Sequence, residues 1–238
     1  KVGLRQSCML MRLSPSVYYY KAKTNPQDAP IQDAPTKLAE DNRRWGFWKM
    51  YHYMRGQAMP WNHKRLYRIY TQLNLNIRRK PKKRLPSRTK ESLFQPDLPN
   101  TVWSMDFMFD RLVNGRSFRT LNILDDFNRE VVNIIVDTSI SSQRVVRELA
   151  QTFEWRGKPK TIRVDNGPEF LALKTWCDSN GIELKFIQPA KPNQNAYIER
   201  FNRTYRDDVL GAYLFEDLHQ VRYETEKFIW KYNNIRPH

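Results

Sequence analysis

The sequence predicts an α/β fold, a mixed sheet flanked by helices, preceded by an all-α region. The first observation is periodicity, because apolar residues between positions 35 and 76 recur at helical spacing. The second is order: from position 102, three strand patterns precede alternating helix and strand patterns. The third is charge, because residues 1–100 hold 21 Lys+Arg against 6 Asp+Glu, whereas residues 101–238 hold 20 against 19. Such asymmetry is typical of a polyanion-binding module joined to a second domain.

The composition excludes several classes of protein. With 238 residues, 40% of them hydrophobic, the chain is long and apolar enough to bury a core. No apolar run approaches the roughly 20 residues of a transmembrane helix, and none has the length of a signal peptide. The two cysteines, Cys8 and Cys177, exclude a disulfide framework and a Cys-rich zinc site. These features predict a cytoplasmic protein without a membrane partner.

The elements of the first 43 residues are short. Ser14 followed by Pro15 is the pattern of an N-cap and a first helical residue, which predicts a helix start. Residues 25–34 are rich in proline and polar residues and are predicted to form a linker. A short helix over Lys37–Arg43 is predicted to follow.

Two amphipathic helices separated by a short turn follow. The first has an apolar stripe at i, i+3, i+4 and i+7 and ends at Gly56. The second opens at Trp61-Asn62 and carries basic residues opposite its apolar face. This arrangement predicts a helix-turn-helix whose second helix contacts DNA; the alternative is a helical hairpin with an ordinary charged surface. The predicted DNA contacts of the second helix are Asn62, His63, Lys64, Arg65 and Arg68.

A basic run connects this region to the rest of the chain. Six of its seven residues are cationic, namely Arg78, Arg79, Lys80, Lys82, Lys83 and Arg84. Neutralising six phosphates would give DNA binding a log–log salt slope of roughly −5; a solvated flexible linker is the alternative. The predicted organisation is a helical DNA-binding region over residues 1–85, a basic, proline-containing linker over 86–98, and an α/β domain over 99–238.

The α/β domain is predicted from alternating patterns. Asn114-Gly115 is a hairpin turn signal between the first two strands. The predicted strands are Val102–Phe109, Phe118–Asp125, Val131–Val136, Thr161–Val164 and Ile182–Ile187. The predicted helices are Ser141–Trp155 and Phe170–Ser179, with two more beginning near Asn195 and Phe215.

Three carboxylates in this domain stand at positions suited to chemistry. Asp106 lies in an apolar strand, where an unpaired carboxylate is costly to bury. Asp165 ends a strand, and Glu199 lies in a helix. Carboxylates without histidine or cysteine ligands favour Mg²⁺ or Mn²⁺ over zinc. Two such ions ~4 Å apart would hold the attacking and leaving oxygens of a phosphodiester.

Several stretches together resemble one family. They are Trp-Ser-Met-Asp-Phe at 103–107, Leu-Asp-Asp-Phe-Asn-Arg-Glu at 124–130, Asp-Asn-Gly-Pro-Glu-Phe at 165–170, the segment 188–204, the closing 232–238, and residues 44–47 and 62–65. The chain resembles the second-frame product (OrfB) of bacterial insertion-sequence family three. These are DDE transposases with a retroviral-integrase-like catalytic core.

The resemblance implies a ribonuclease-H-like fold and a DDE triad of Asp106, Asp165 and Glu199, binding two Mg²⁺ or Mn²⁺ ions. Asp106 would bridge both ions, and the other two residues would each hold one. The implied function is DNA integration and recombination: binding of terminal inverted repeats, strand cleavage, and transfer of the 3′-OH to target DNA. The implied partners are double-stranded DNA, further copies of the chain on paired ends, and a first-frame product (OrfA). Nucleoid association is implied as well.

Two departures from the family pattern, and an alternative function, stand beside this prediction. Thirty-three residues separate Asp165 from Glu199, two fewer than is usual in the family, and the chain has Pro189-Ala190 where Pro-Gly is usual. The alternatives are an inactive relic that only binds DNA, and a nuclease without joining activity.

Further residues near the triad are predicted to support it. Asn166 and Asn195 are expected in the second layer around the metals, with turn formation and helix capping as the alternative. Asn202, Arg203 and Arg206 share the helical face of Glu199 and are expected to contact DNA phosphates.

Overall fold

The structure is a computed structural model that describes residues 3–21, 25–77, 95–188 and 195–237. The chain divides into two compact units, Lys1–Arg79 and Lys80–His238. The basic run from Arg78 to Arg84 and the Pro189-Ala190 pair lie outside the described residues. None of the described helices is both long and apolar enough to cross a membrane.

The N-terminal unit is helical among its described residues. Its elements are α1 (Leu4–Leu10), α2 (Pro15–Tyr19), a 3₁₀ turn (Pro26–Asp28), α3 (Ala29–Asp41), α4 (Phe47–Gly56) and α5 (His63–Gln72). The predicted helix pair is confirmed, since α4 ends at Gly56 and Asn62 caps α5 by accepting the Lys64 backbone N–H at 2.8 Å. Buried residues from three helices, including Ile31, Met50 and Ile69, form its core.

The predicted linker over residues 25–34 is wrong. This segment contains the 3₁₀ turn and the first part of α3. Pro30 lies in the first helical turn, where a missing N–H breaks no intrahelical hydrogen bond. The helix continues through the buried Pro35, and its C-terminal part covers most of the predicted Lys37–Arg43 helix. The proline-rich pattern therefore starts a helix here.

The C-terminal unit is built on one five-stranded mixed sheet, which confirms the predicted α/β class. Its strands are β1 (Val102–Arg111), β2 (Ser117–Asp125), β3 (Val131–Asp137), β4 (Thr161–Val164) and β5 (Glu183–Phe186). Its helices are α6 (Ser142–Arg156), α7 (Pro168–Leu171), α8 (Leu173–Ser179), α9 (Ala196–Tyr205), a π-helical turn (Arg206–Leu210) and α10 (Leu218–Asn234). The order is β3-β2-β1-β4-β5, with the first three strands antiparallel and β4 and β5 parallel to β1.

The sheet has a buried core on each face. On one face, Trp103 and Met105 of β1 belong to the cluster that includes α6 and α8 residues. On the other, Met108 belongs to the cluster that includes Ile198 and Phe201 of α9. Since side chains alternate along a strand, Asp106 shares the Met108 face and points toward α9.

The predicted helix over Phe170–Ser179 is instead two short helices joined at Ala172. Periodicity could not reveal this interruption, because Phe170, Leu173 and Cys177 are all fully buried at spacings that suit one continuous helix.

Candidate active site

Asp106 is held in the middle of β1 by two hydrogen bonds. Its Oδ1 accepts the backbone N–H of Phe107 at 2.8 Å, and its Oδ2 accepts Nδ2 of Asn202 at 2.7 Å. Each carboxylate oxygen therefore has one donor, so the side chain has a defined orientation beside α9.

Asp165 directly follows the neighbouring parallel strand, β4. The register pairs Ser104 of β1 with Arg163 of β4, and continuing it by two residues sets Asp165 beside Asp106. The Asp165 carboxylate accepts the N–H of Gly167 at 3.1 Å, which closes the turn after the strand. A Cβ at Gly167 would lie 3.0 Å from Asp165 Oδ1, so glycine is what lets the backbone pass this close to the carboxylate.

Glu199 completes the group from the first turn of α9, where it is exposed. The pKa of Asp106 is raised to about 6, mainly by burial and then by the negative charges of Asp165 and Glu199, while the hydrogen bonds from Phe107 and Asn202 lower it. Asp165 and Glu199 therefore both act electrostatically on Asp106 despite the shorter spacing between them.

The donor set suits a hard divalent cation, because it consists of carboxylate oxygens. Among the described residues, no group of three His, Cys, Asp or Glu side chains lies close enough together to hold a metal ion as they stand. The triad is thus an open arrangement, in which like charges repel and Asp106 is tied to Phe107 and Asn202.

Arg119 of β2 lies on the sheet face that carries Phe107, opposite the face of Asp106. The Arg119 guanidinium lies over the rings of Phe107 and Phe109, at 4.3 and 4.6 Å from their centroids. Its Nη2 is 2.6 Å from Oε1 of Glu169, which follows the Asp165 turn. The pKa of Glu169 is held below its usual value, first by a hydrogen bond from the backbone N–H of Glu169 itself and then by Arg119. Arg119 therefore neutralises the negative charge of Glu169.

A cavity of about 440 Å³ opens beside β1. It is lined by Phe107, Met108, Phe109, Asn202, Arg203 and Arg206. Arg206 donates through Nη2 to the Phe109 carbonyl at 2.9 Å, which fixes its guanidinium at the rim. Arg203 is exposed. Two cations, Arg203 and Arg206, therefore lie in the cavity beside the strand that carries Asp106.

Two integrase core domain families match the chain, over residues 96–192 and 180–238. A 31.7 kDa protein of insertion element IS407 from Burkholderia multivorans is 40% identical over 239 residues, covering 100% of this chain and 86% of the relative. The chain belongs to the integrase-core family of insertion-sequence transposases.

Further similarities agree with this assignment. A 39.2 kDa protein of insertion element IS476 from Xanthomonas euvesicatoria is 39% identical over 98% of the transposase and 68% of the relative. A chain in the cryo-EM structure of a simian T-cell lymphotropic virus intasome has the same fold, with a TM-score of 0.54 and 17% identity, over 84% of the transposase and 69% of that chain. The predicted ribonuclease-H-like fold and the predicted polynucleotidyl transferase activity are confirmed.

The structure places the two predicted second-layer asparagines at the edges of the site. Asn166, in the turn after Asp165, donates through Nδ2 to the Ile187 carbonyl at 3.1 Å and so ties this turn to the end of β5. Asn195 precedes α9 and is only 3% exposed. Their roles around a metal remain predictions.

The side chain of Asn202 is not exposed to solvent, as its predicted contact with a DNA phosphate would require. It is 8% exposed, and its amide bonds Asp106 on one side and Asn122 on the other. It faces into the sheet because it lies on the same buried side of α9 as Ile198 and Phe201. Arg203 and Arg206 line the cavity. Arg203 is exposed, whereas Arg206 pairs with Asp110 at 3.5 Å as well as with the Phe109 carbonyl.

The predicted DNA contacts of the N-terminal unit are of two kinds. Asn62, His63 and Lys64 are exposed at the start of α5. Arg65 and Arg68 instead form ion pairs of 2.6 Å with the two oxygens of Asp28, which is 7% exposed. These two guanidiniums orient the 3₁₀ turn against α5, a role that differs from a free phosphate contact.

Sequence reasoning missed Asn122 and Arg119. Asn122 stands between Leu121 and Ile123 in β2, and a polar residue inside an apolar strand is the same signal that identified Asp106. Arg119 gave no comparable signal, because a cation near the end of a strand is commonly exposed. Its partner Glu169 is also distant in sequence.

Proposed function

We propose that the transposase cleaves DNA at the ends of its element and joins the freed 3′-OH to target DNA, using Asp106, Asp165 and Glu199 as ligands of two Mg²⁺ or Mn²⁺ ions. The observation that carries this proposal is that Asp165, after β4, and Glu199, on α9, both lie near enough to Asp106 for their charges to raise its pKa. An inactive DNA-binding relic is not favoured, because it would gain nothing from keeping three repelling carboxylates together.

By the resemblance to DDE transposases, Asp106 would be the ligand common to both ions. Asp165 and Glu199 would each hold one. The ions, when bound, would supply positive charge at the reacting phosphate and favour deprotonation of the attacking hydroxyl. Since ionised carboxylates are the ligands, loss of the ions would leave three uncompensated charges, which predicts a strict requirement for divalent metal.

The chain's own cations position the DNA strand in this proposal. Arg203 and Arg206 would hold backbone phosphates in the cavity beside β1. In cleavage, a water oxygen bonds to phosphorus and the 3′-oxygen leaves as a hydroxyl; in joining, that hydroxyl bonds to a target phosphorus and another 3′-oxygen leaves. Neither step forms a bond between protein and DNA, so no covalent protein–DNA intermediate is expected.

The N-terminal unit is proposed to recognise the terminal inverted repeats through α5. The remaining cations predicted to bind phosphates lie in the run from Arg78 to Arg84. We further infer that several copies act together on paired ends, with a first-frame product (OrfA) as a partner.

A joining assay tests the proposal. The full-length transposase is incubated with a labelled duplex of its own element's end and a target plasmid, with Mg²⁺, with Mn²⁺ or with EDTA. Joined products with either metal and none with EDTA are expected. Retarded DNA without nicked or joined product would support the DNA-binding relic, and nicked product alone would support a nuclease.

Lys64→Ala is expected to weaken DNA binding, because Lys64 is exposed at the start of α5. One lost phosphate contact should lower the magnitude of the log–log salt slope by about 1 and the affinity by about 1 kcal/mol. Arg65→Ala is the matched control, since this neighbouring cation is paired with Asp28. Its salt slope should stay that of the unaltered protein, measured by fluorescence anisotropy. Equal loss of slope in both variants would contradict the assignment.

A further inference from the structure

The hydrogen bond from Asn202 to Asp106 continues one residue deeper into the sheet. Nδ2 of Asn122 donates to Oδ1 of Asn202 at 2.6 Å. Asn122 lies directly opposite Asp106 in the β1–β2 register and is 0% exposed. Three side chains from β2, α9 and β1 therefore form one buried chain of hydrogen bonds that ends at the Asp106 carboxylate.

The direction of this chain follows from the donor and acceptor chemistry. An ionised carboxylate only accepts, so Asn202 presents its NH₂ group to Asp106. The carbonyl oxygen of Asn202 then faces Asn122 and needs a donor, which the Asn122 NH₂ group supplies. Without that donor, the Asn202 oxygen would be buried unpaired and its amide would lose one of its two fixed contacts.

The fold by itself does not account for an asparagine at position 122. Its Oδ1 is buried and has no hydrogen-bond partner among the described residues. Its other polar contact is with Sδ of Met108 at 3.1 Å, and a thioether is a weak acceptor. An unpaired buried amide oxygen lowers stability relative to an apolar side chain of similar volume. Its neighbours in the strand, Leu121 and Ile123, are apolar and fully buried.

We propose that Asn122 is a positioning residue that fixes the Asp106 carboxylate for metal binding through Asn202. This inference rests on the proposed function, in which Asp106 is a metal ligand. Groups that hydrogen-bond a ligand orient it, and their loss typically lowers metal affinity or activity by roughly 10–100-fold.

The test compares Asn122→Leu with Thr120→Val in the full-length protein. Thr120 is the matched control because it lies on the same face of β2 and is 1% exposed, and its Oγ1 has no hydrogen-bond partner in the described part of the chain. Mn²⁺ binding is followed by the electron paramagnetic resonance signal of free Mn²⁺, and stability by thermal unfolding in metal-free buffer. Asn122→Leu should bind Mn²⁺ about 10-fold more weakly. Its melting temperature should stay close to that of the unaltered protein, because the change removes the unpaired Asn122 oxygen but leaves the Asn202 oxygen without its donor. Thr120→Val should bind Mn²⁺ as the unaltered protein does.

A mutant cycle tests whether Asn122 acts through Asn202. Combining Asn122→Leu with Asn202→Leu should weaken Mn²⁺ binding no more than Asn202→Leu does alone, because the second change removes a contact already lost. Additive losses would overturn the route through Asn202. If Asn122→Leu does not fold, Asn122→Ala, which introduces no additional atoms, is measured in the same way.

The outcomes separate this inference from the proposed function. If the unaltered protein fails to bind Mn²⁺, the proposed metal site itself is wrong. If it binds Mn²⁺ and Asn122→Leu binds as tightly as Thr120→Val, Asn122 has no positioning role and the proposed function stands. An Asn122 variant that melts at a lower temperature but keeps its Mn²⁺ affinity would show that the residue only supports the fold.

Discussion

Replacing Asp106 with asparagine is expected to lower strand joining by at least about 1,000-fold, equivalent to about 4 kcal/mol of transition-state stabilisation. The charges of both Asp165 and Glu199 raise the pKa of Asp106. An amide at this position would remove the negative charge of the ligand proposed to be common to both ions. Joining is measured on a labelled duplex of the element's end with Mg²⁺, and DNA retention by anisotropy should stay unchanged.

The same substitution is expected to raise thermal stability in metal-free buffer. The folded-state pKa of Asp106 is about 6, above the value of 3.8 for an unperturbed aspartate, so its ionisation costs stability as the pH rises between these values. At pH 8 the lost charge should raise stability by about 3 kcal/mol, less the hydrogen bond from Phe107 or Asn202 that an amide NH₂ group cannot accept. At pH 3.5, where the carboxyl is protonated, the gain should vanish. A stability loss at pH 8 would contradict the electrostatic account of the site.

Glu199→Gln is expected to abolish joining to a similar extent, about 1,000-fold, with a different effect on stability. Glu199 is exposed in the first turn of α9, so neutralising it removes a proposed ligand but relieves little desolvation. Its melting temperature in metal-free buffer should therefore remain close to that of the unaltered protein, in contrast to Asp106→Asn. Both readouts come from the same joining assay and the same thermal scans.

Glu154→Gln is the matched control for this variant. Glu154 is an exposed glutamate on α6 in the same unit, so its replacement changes the net charge by the same amount. It should leave joining unchanged. Equal joining by Glu199→Gln and Glu154→Gln would remove Glu199 from the proposed triad. No joining by any of the proteins, with DNA binding intact, would restore the relic as the better account.

The four variants together distinguish a ligand role from an electrostatic one. A loss of joining in Asp106→Asn and Glu199→Gln with stabilisation only in the former is the pattern expected of one buried and one exposed ligand. Asn122→Leu should resemble a weaker Asp106 variant in metal binding, because it acts on the orientation of the same carboxylate while leaving its charge in place.

The sequence by itself determined the class of the fold and the family. Strand alternation identified β1, β2, β3 and β4 closely, since each lies in a half-buried or fully buried sheet whose apolar pattern is local. The two amphipathic helices α4 and α5 were equally visible, because a turn, a glycine and an asparagine cap mark their limits. Motifs around Asp106, Asp165 and Glu199 identified the family through residue identity alone.

Prediction from the local sequence pattern failed where contacts between residues distant in the chain determined the structure. Residues 25–34 contain prolines and were predicted as a linker, yet Asp28 accepts two arginines from α5 and a helix begins beside it. The break between α7 and α8 was likewise hidden, because the apolar spacing through it is that of a continuous helix.

Only the tertiary structure decided what surrounds each carboxylate. Asn202 shares a helix with Glu199, and its spacing indicated a phosphate contact, but the packing of α9 on the sheet turns it toward Asp106. Asn122 is hydrogen-bonded to Asp106 only through Asn202, which lies 80 residues further along the chain. The Arg119–Glu169 pair joins residues 50 apart. Spacing along a helix or strand fixes which side chains share a face, whereas the partner of that face depends on how distant elements pack.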